Sequence, residues 1–214
     1  MPKLQAPSKE ASALLPPFIT LAEQAIYVPR TTDEFAQARH AILSCNTLGF
    51  DTESKPIFSI HQIDTGPHLV QLASTEAAWL LQLHHRQALE LAREVLASVA
   101  LRKVGFGLDN DKQSLPRRLG VELANIVDLD RSFKRQGYGS SVGVRAAVAL
   151  VLGQSFRKSK KTTTSNWAAQ ELSPAQLRYA ANDAYAPAVI YAELAQWEAK
   201  QPPVSAPKRA RSPE

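Results

Sequence analysis

Two acidic residues follow an apolar segment in the first quarter of the chain. The apolar side chains of residues 48–50 lead directly into Asp51 and Glu53. In a β-strand, this i, i+2 spacing places both carboxylates on the same face. Two adjacent carboxylates repel each other, so either one takes up a proton or a cation compensates their charge. The spacing therefore indicates a divalent-metal site or a strand that simply ends in solvated acids.

A third acid lies in the first turn of a predicted helix, after a strand end that contains glycine. Asp111 shares one helical stripe, at i, i+3, i+7 and i+11, with the apolar residues Leu108, Leu115 and Leu119. Asp111 therefore faces the fold, whereas Asp109 lies out of phase with the stripe. An acid in the first turn also interacts favourably with the helix dipole, so a capping role stays open beside a ligand role.

A fourth acid and a phenol lie close together on a later predicted helix. Ser173 and Pro174 are typical of a helix N-terminus. Tyr179 and Asp183, at i and i+4, then lie on one face of this helix. This arrangement places a phenol beside a carboxylate. The alternative is an ordinary amphipathic helix with Tyr179 packed and Asp183 exposed.

The elements that must position these residues alternate along the chain. We predict an α/β fold, in which a sheet is flanked by helices. The predicted strands are residues 25–28, the strand that carries Asp51, and residues 68–73, 77–83, 102–106 and 125–127. The predicted helices follow an N-cap at Thr31, cover residues 86–98 and 110–119, and make up most of the chain after residue 127.

Composition indicates one soluble globular domain. The chain has 214 residues, of which 44% are hydrophobic and 21% charged, which is enough for one sizeable core. Its net charge of +5 permits a polyanionic partner without demanding one. A single cysteine, Cys45, excludes an intramolecular disulfide and is expected to be a small buried apolar residue.

The two ends of the chain differ in composition from its centre. We expect an irregular arm over residues 1–20, one domain over residues 21–200, and a disordered, basic and Pro-rich tail over residues 201–214. No run of about 18 apolar residues is present, so no membrane partner is expected. We expect a cytoplasmic protein, or a nuclear one if the source is eukaryotic.

Taken together and in order, the three motifs resemble those of the DEDDy 3′-5′ exonucleases, such as the Werner-type exonuclease domain and the catalytic domain of ribonuclease D. The resemblance covers roughly residues 25–197, with about 60 and 70 residues between the motifs. It implies a ribonuclease-H-like fold, a mixed five-stranded sheet with helices on both sides. It also implies release of nucleoside 5′-monophosphates from the 3′ end of a nucleic acid.

The resemblance assigns catalytic roles to five residues. Four carboxylates suit two Mg²⁺ or Mn²⁺ ions, which activate a water and stabilise the leaving 3′-oxygen. Asp51 would bridge both ions, and Tyr179 would orient the attacking water, because a phenol with a pKa of about 10 is a poor base at neutral pH. The expected metal ligands are Asp51, Glu53, Asp111 and Asp183, and these four with Tyr179 are the expected catalytic residues.

Candidate substrate contacts come from a basic segment and its neighbours. Residues 157–161 carry four cations that can neutralise phosphates, although such a run is also typical of a solvated loop. Trp167 can stack on a base or pack against the terminal helices. The candidate substrate-binding residues are Thr52, Lys158, Lys160, Lys161 and Trp167.

Two functional hypotheses of different classes follow. The first is a metal-dependent 3′-5′ exonuclease, with DNA favoured over RNA; the second is a non-catalytic nucleic-acid-binding module of the same fold. Four converging acids favour the enzyme, since a binding module has no evident need to repel phosphates. Hydrolysis of small nucleotides is a further possibility that the basic segment disfavours. Gln113 stands where the Werner-type relatives carry an aromatic residue, which weakens one substrate contact.

Overall fold

The fold is built around one mixed β-sheet. The computed structural model describes residues 3–57, 59, 63 and 65–201. The strands are β1 (Ile26–Tyr27), β2 (Thr47–Glu53), β3 (Leu69–Ala73), β4 (Ala78–Gln82), β5 (Arg102–Gly105) and β6 (Ile126–Asp128). Their order in the sheet is β1-β4-β3-β2-β5-β6. Strand β3 is antiparallel to both neighbours, whereas β5 is parallel to β2 and β6.

The sheet has six strands rather than the five expected from the family resemblance. The additional strand is β1, which is two residues long and pairs in parallel with the edge strand β4. The mixed α/β architecture itself is as predicted, because each predicted strand segment has a counterpart in the sheet.

Helices cover both faces of the sheet. They are α1 (Lys9–Ala13), α2 (Thr32–Leu43), α3 (Arg86–Ala97), α4 (Asp109–Leu119), α5 (Asp130–Arg135), α6 (Val144–Leu152), α7 (Lys160–Thr163) and α8 (Pro174–Ala199). Helices α2, α3 and α4 pack against one face in a single hydrophobic cluster. Helix α8 covers the other face, where α6 packs beside it.

Two helices begin with the capping residues that the sequence predicts. Thr31 accepts a hydrogen bond from the backbone N–H of Glu34, whose side chain accepts one from the N–H of Thr31. The same reciprocal capping box joins Ser173 and Gln176 at the start of α8, with Pro174 in the first turn. These caps satisfy backbone donors that have no partner within the helix.

Successive side chains of β2 point to opposite faces of the sheet, one facing the hydrophobic core and the other facing the acidic cluster. Leu48 and Phe50 are fully buried in the cluster with α2, α3 and α4. Gly49, Asp51 and Glu53 point to the opposite face, which α8 covers. One strand therefore contributes both to the hydrophobic core and to the acidic cluster.

Helix α8 lies directly on the backbone of β2. A Cβ atom added to Gly49 would lie 1.8 Å from the carbonyl oxygen of Ala184 and 2.9 Å from the backbone nitrogen of Ala188. Only a glycine permits this approach. The contact holds the part of α8 that carries Asp183 against β2.

Residues 3–20 are more ordered than the irregular arm that the sequence predicts. They include the short helix α1, which Ser8 caps. Phe18 is buried, and its ring forms an edge-to-face contact with that of Phe156, with 5.2 Å between the ring centroids. An aromatic side chain that reaches the core thus fixes the segment. All of the predicted tail except Gln201 lies outside the described residues, among which no helix is long and apolar enough to cross a membrane.

We predict that Gly49→Ala destabilises the protein by about 3 kcal/mol or more, because the added methyl group meets backbone atoms that cannot move without displacing α8. Urea unfolding monitored by circular dichroism measures the change. Gly143→Ala is the control, since a Cβ there meets nothing within 4 Å, and we expect a change within about 1 kcal/mol. Equal stability of Gly49→Ala and the wild type would contradict the described packing.

Candidate active site

The carboxyl-terminal end of β2 carries the first two acids. Asp51 pairs with Gln71 of β3 and Glu53 pairs with Leu69, so both acids lie on the face under α8. One oxygen of Asp51 accepts a hydrogen bond of 2.9 Å from the backbone N–H of Thr52. Both side chains are half-buried. The i, i+2 spacing therefore places both carboxylates on one face of the sheet, as the sequence predicts.

The third acid, Asp111, comes from the first turn of α4. The leucines of its predicted stripe are fully buried beneath the helix. This packing turns Asp111 towards β2, where its carboxylate accepts a hydrogen bond from the hydroxyl of Thr52. The side chain of Asp128 accepts a 3.2 Å hydrogen bond from the N–H of Leu108 just before α4. Asp128 therefore stabilises the start of this helix.

The fourth acid, Asp183, is the most deeply buried of the cluster, with 3% of its surface exposed. It lies on α8, one residue before the contact with Gly49. The ammonium of Lys158 forms an ion pair of 2.8 Å with it. Tyr179, one helical turn earlier, shares a 2.8 Å hydrogen bond with the hydroxyl of Thr163. Three separate parts of the chain thus bring four carboxylates and one phenol together.

Burial raises the pKa values of all four acids, and repulsion from neighbouring carboxylates adds to this effect at Asp51 and Glu53. Burial, followed by the charge of Asp183, raises the pKa of Asp51 to about 8. Burial, followed by the charges of Asp51 and Asp183, raises the pKa of Glu53 to about 9. Burial also raises the pKa of Asp111 and of Asp183, against the opposing effects of Thr52 and Lys158 respectively. The cluster therefore retains protons near neutral pH unless a cation compensates it.

Burial and the charges of the acids also shift the pKa values of Lys158 and Tyr179. Burial alone would lower the pKa of Lys158, but the charges of Asp183 and Asp51 outweigh it and raise the pKa. Burial and the charge of Asp183 raise the pKa of Tyr179, so the phenol keeps its proton. Lys158 is thus a charged counter-ion of the cluster, and Tyr179 is a protonated phenol that hydrogen-bonds to Thr163.

The donor set fits a hard divalent cation by its chemistry. Four carboxylates supply only oxygen ligands, which Mg²⁺ and Mn²⁺ prefer. Among the described residues, no group of three or more His, Cys, Asp or Glu side chains has an arrangement that could hold a metal ion as it stands. Two of the acids are engaged by other groups, Asp111 by Thr52 and Asp183 by Lys158. A cation that binds the oxygen of Asp183 paired with Lys158 would displace the ammonium from it.

The predicted substrate-binding residues have different surroundings. Thr52 lies within the cluster, and Lys158 reaches into it. Lys160 and Lys161 are exposed in α7. Trp167 has only 1% of its surface exposed, and its indole N–H donates to the carbonyl of Thr163 at 3.2 Å. A base cannot stack on this buried ring in the described conformation, so the packing alternative describes Trp167.

The sequence interpretation did not anticipate two contacts of the site. It placed Lys158 in a phosphate-binding segment rather than beside Asp183, and it gave Thr163 no role. The only available signal was the basic run itself, since the fold of the segment before α8 decides which of its lysines turns inward. Arg157 and Lys160, the neighbouring cations, are exposed.

We predict that Asp51→Asn stabilises the metal-free protein, and that the gain grows with pH. The unfolded carboxyl ionises near pH 4, whereas the folded one keeps its proton up to about pH 8. Wild-type stability is therefore lost as pH rises between these values, and asparagine avoids the loss. In EDTA, the Tm difference should increase from pH 5 to pH 8 by about 2–4 °C or more. Asp33→Asn, at an exposed position, is the control; a pH-independent difference would contradict this electrostatic account.

Comparison with known proteins agrees with this geometry. The sequence model of a 3′-5′ exonuclease family matches residues 26–197. The bifunctional 3′-5′ exonuclease/ATP-dependent helicase WRN of Mus musculus is 29% identical over 154 residues, which are 70% of this chain and 11% of that protein. This chain thus spans only a small part of that relative's length.

Solved structures show the same fold. The EXO domain of Aedes aegypti Nibbler superimposes with a TM-score of 0.70 at 21% identity, covering 85% of this chain and 92% of that one. Escherichia coli RNase D, described as an exoribonuclease involved in structured RNA processing, gives a TM-score of 0.67 at 20% identity and covers 81% and 45% of the two chains. The expected ribonuclease-H-like fold is confirmed, and the chain belongs to the DEDDy-type 3′-5′ exonuclease family.

Proposed function

We propose that the protein hydrolyses phosphodiester bonds one at a time from the 3′ end of a nucleic acid and releases nucleoside 5′-monophosphates. The observation that carries this proposal is the convergence of four carboxylates, from β2, α4 and α8, beside a phenol and a lysine. The raised pKa values of these acids support cation binding, because a divalent ion compensates buried negative charge and relieves the repulsion that acts on Asp51 and Glu53. Family membership supports the reaction class.

Each residue of the cluster has a task in this reaction. Asp51, Glu53, Asp111 and Asp183 would hold two Mg²⁺ or Mn²⁺ ions, which supply an activated water and stabilise the leaving 3′-oxygen. Tyr179 orients the attacking water through its hydroxyl, which stays protonated. Thr163 fixes that hydroxyl by a hydrogen bond. Lys158, which pairs with Asp183 in the metal-free protein, would contact a substrate phosphate once the acids hold cations.

A basic cavity beside the site supports a polymeric substrate. The cavity measures about 330 Å³ and is lined by Lys9, Arg145 and Lys158, with no acid among its described lining residues. The first turn of α6, which follows Gly143, also faces it, and no side chain caps that helix start. Since Lys158 also contacts Asp183, the cavity lies next to the acids. The positive charges of Lys9, Arg145 and Lys158 would neutralise phosphates of a strand that extends from the acids into this cavity.

A second cavity is lined by residues of the site itself. It measures about 530 Å³ and is lined in part by Tyr179, Asp183, Arg157 and Arg178. Arg157 lines this cavity, whereas the adjacent Lys158 lines the first one. A small nucleotide would use one such surface, whereas a strand of several phosphates can use both. We therefore propose a polymer rather than a free nucleotide.

We propose DNA as the preferred polymer on the basis of the resemblance to the Werner-type exonuclease domain. RNA is the second candidate, because RNase D of Escherichia coli has the same fold and is described as an exoribonuclease. A non-catalytic binding module of this fold is the alternative from a different class. The buried acids disfavour it, since they would repel the phosphates that such a module must bind.

Digestion of labelled substrates tests the proposed activity. The substrates are 5′-labelled single-stranded DNA, 3′-recessed DNA and a matching RNA, incubated in Mg²⁺, Mn²⁺ or EDTA. We expect a cation-dependent ladder that shortens from the 3′ end, with DNA degraded faster than RNA. Asp51→Ala should reduce the rate at least about 100-fold, since even partners behind a metal ligand contribute about 10–100-fold. Binding without cleavage under all conditions would favour the non-catalytic alternative.

Tyr179→Phe separates water orientation from substrate binding. We expect kcat to fall by about tenfold or more, because the lost hydroxyl contributes a hydrogen bond to the attacking water and not to the nucleic acid. KM and the Kd for the uncleaved strand should change less than threefold. Single-turnover kinetics and fluorescence anisotropy measure the two effects. Unchanged kcat would remove Tyr179 from the reaction.

Arg145→Ala tests the contribution of the basic cavity. We expect weaker binding of single-stranded DNA and a slope of log K against log[salt] that is reduced by about 0.7, the value for one lost phosphate contact. Anisotropy titrations between 50 and 200 mM NaCl, roughly the range over which such slopes are large, measure this slope. Arg86→Ala is the matched control, since Arg86 is exposed and pairs with Glu90 on α3, in the opposite layer. Equal slopes for the two variants would place the strand elsewhere.

A further inference from the structure

Gln71 is a buried polar residue that the proposed reaction does not use. It lies at the centre of β3 and has none of its surface exposed. Neither its amide nitrogen nor its amide oxygen has a hydrogen-bond partner among the described residues. An unpaired buried amide lowers stability, because it has lost its hydrogen bonds to water without replacement. The presence of this unpaired amide in the middle of an otherwise apolar strand suggests a role other than stabilising the fold.

The register of the sheet places Gln71 beside the catalytic acids. Gln71 lies directly opposite Asp51 in the antiparallel pair of β2 and β3. Opposite residues in such a pair share a face, with Cβ atoms about 4.5–5.5 Å apart. That face is the one under α8, which also carries Asp183. The carboxylate of Asp51 accepts a hydrogen bond of 2.9 Å from the backbone N–H of Thr52, and a carboxylate can accept several more.

A second glutamine on the same face provides a contrast. Gln82 of β4 is also buried, but its amide nitrogen donates to the carbonyls of Ala169 and Gln170 at 3.1 and 3.3 Å. Gln82 thus ties the sheet to the segment that precedes α8 and has a structural role. Gln71 makes no comparable bond within the described chain. Its nearest candidate partner by register is the functional carboxylate of Asp51.

We propose that Gln71 is a positioning residue for Asp51, whose carboxylate it holds by an amide N–H when a divalent cation draws that carboxylate into its coordination. Carboxylates that bind metals are commonly oriented by hydrogen bonds from residues behind them. The stability lost in the metal-free protein is then recovered in the cation-bound one. This inference rests on the proposed function, since it requires a cation at Asp51.

The test compares Gln71→Met and Gln82→Met, two substitutions of similar shape that remove the amide. Thermal unfolding in EDTA gives the Tm of each variant, and electron paramagnetic resonance of free Mn²⁺ gives the Mn²⁺ affinity. For Gln71→Met we expect a Tm above that of the wild type and an Mn²⁺ affinity about 10–100-fold lower. For Gln82→Met we expect a lower Tm and an Mn²⁺ affinity within about twofold of the wild type, because two structural hydrogen bonds are lost and no ligand is affected.

The outcomes separate this inference from the proposed function. A wild-type protein that binds no Mn²⁺ would overturn both. Wild-type binding together with unchanged Mn²⁺ affinity in Gln71→Met would overturn the inference alone. A Tm of Gln71→Met below that of the wild type would also overturn it, since the amide would then have a structural partner in the metal-free protein.

Discussion

The close packing of α8 on the backbone of β2 is the constraint on which the rest of the structure depends. At Gly49 the helix approaches so closely that no side chain fits between them. This contact places Asp183 over the strand that carries Asp51 and Glu53, so acids that are about 130 residues apart in the chain share one site. The small residues of α8 extend the contact, since Ala180, Ala181 and Ala184 are fully buried against the sheet.

Bringing four carboxylates together is unfavourable, and the surrounding structure supplies the compensation. Leucines beneath α4 and alanines of α8 provide the packing that holds the acids in place, and Lys158 provides a charge in the metal-free protein. Functional sites commonly retain such unfavourable arrangements, because they are useful only once a ligand binds. We propose that in this protein the same repulsion that lowers stability favours the binding of a divalent cation.

The sequence allowed prediction of the parts of this arrangement that local periodicity determines. The i, i+2 spacing of Asp51 and Glu53 and the helical stripe of Asp111 were sufficient to assign their faces. The short strand predicted at residues 25–28 corresponds to β1, the sixth strand, whereas the family resemblance implied only five strands. The inward turn of Lys158 and the burial of Trp167 depend on how the segment before α8 folds, which is a long-range property.

The most direct test of this account is anomalous X-ray diffraction from crystals grown with Mn²⁺ and a nucleoside 5′-monophosphate. The account predicts two manganese peaks among Asp51, Glu53, Asp111 and Asp183, with the ammonium of Lys158 withdrawn from Asp183. Manganese bound elsewhere, with the Lys158–Asp183 ion pair retained, would contradict it. The carboxylate cluster would then be a structural ion-pair network rather than a cation site.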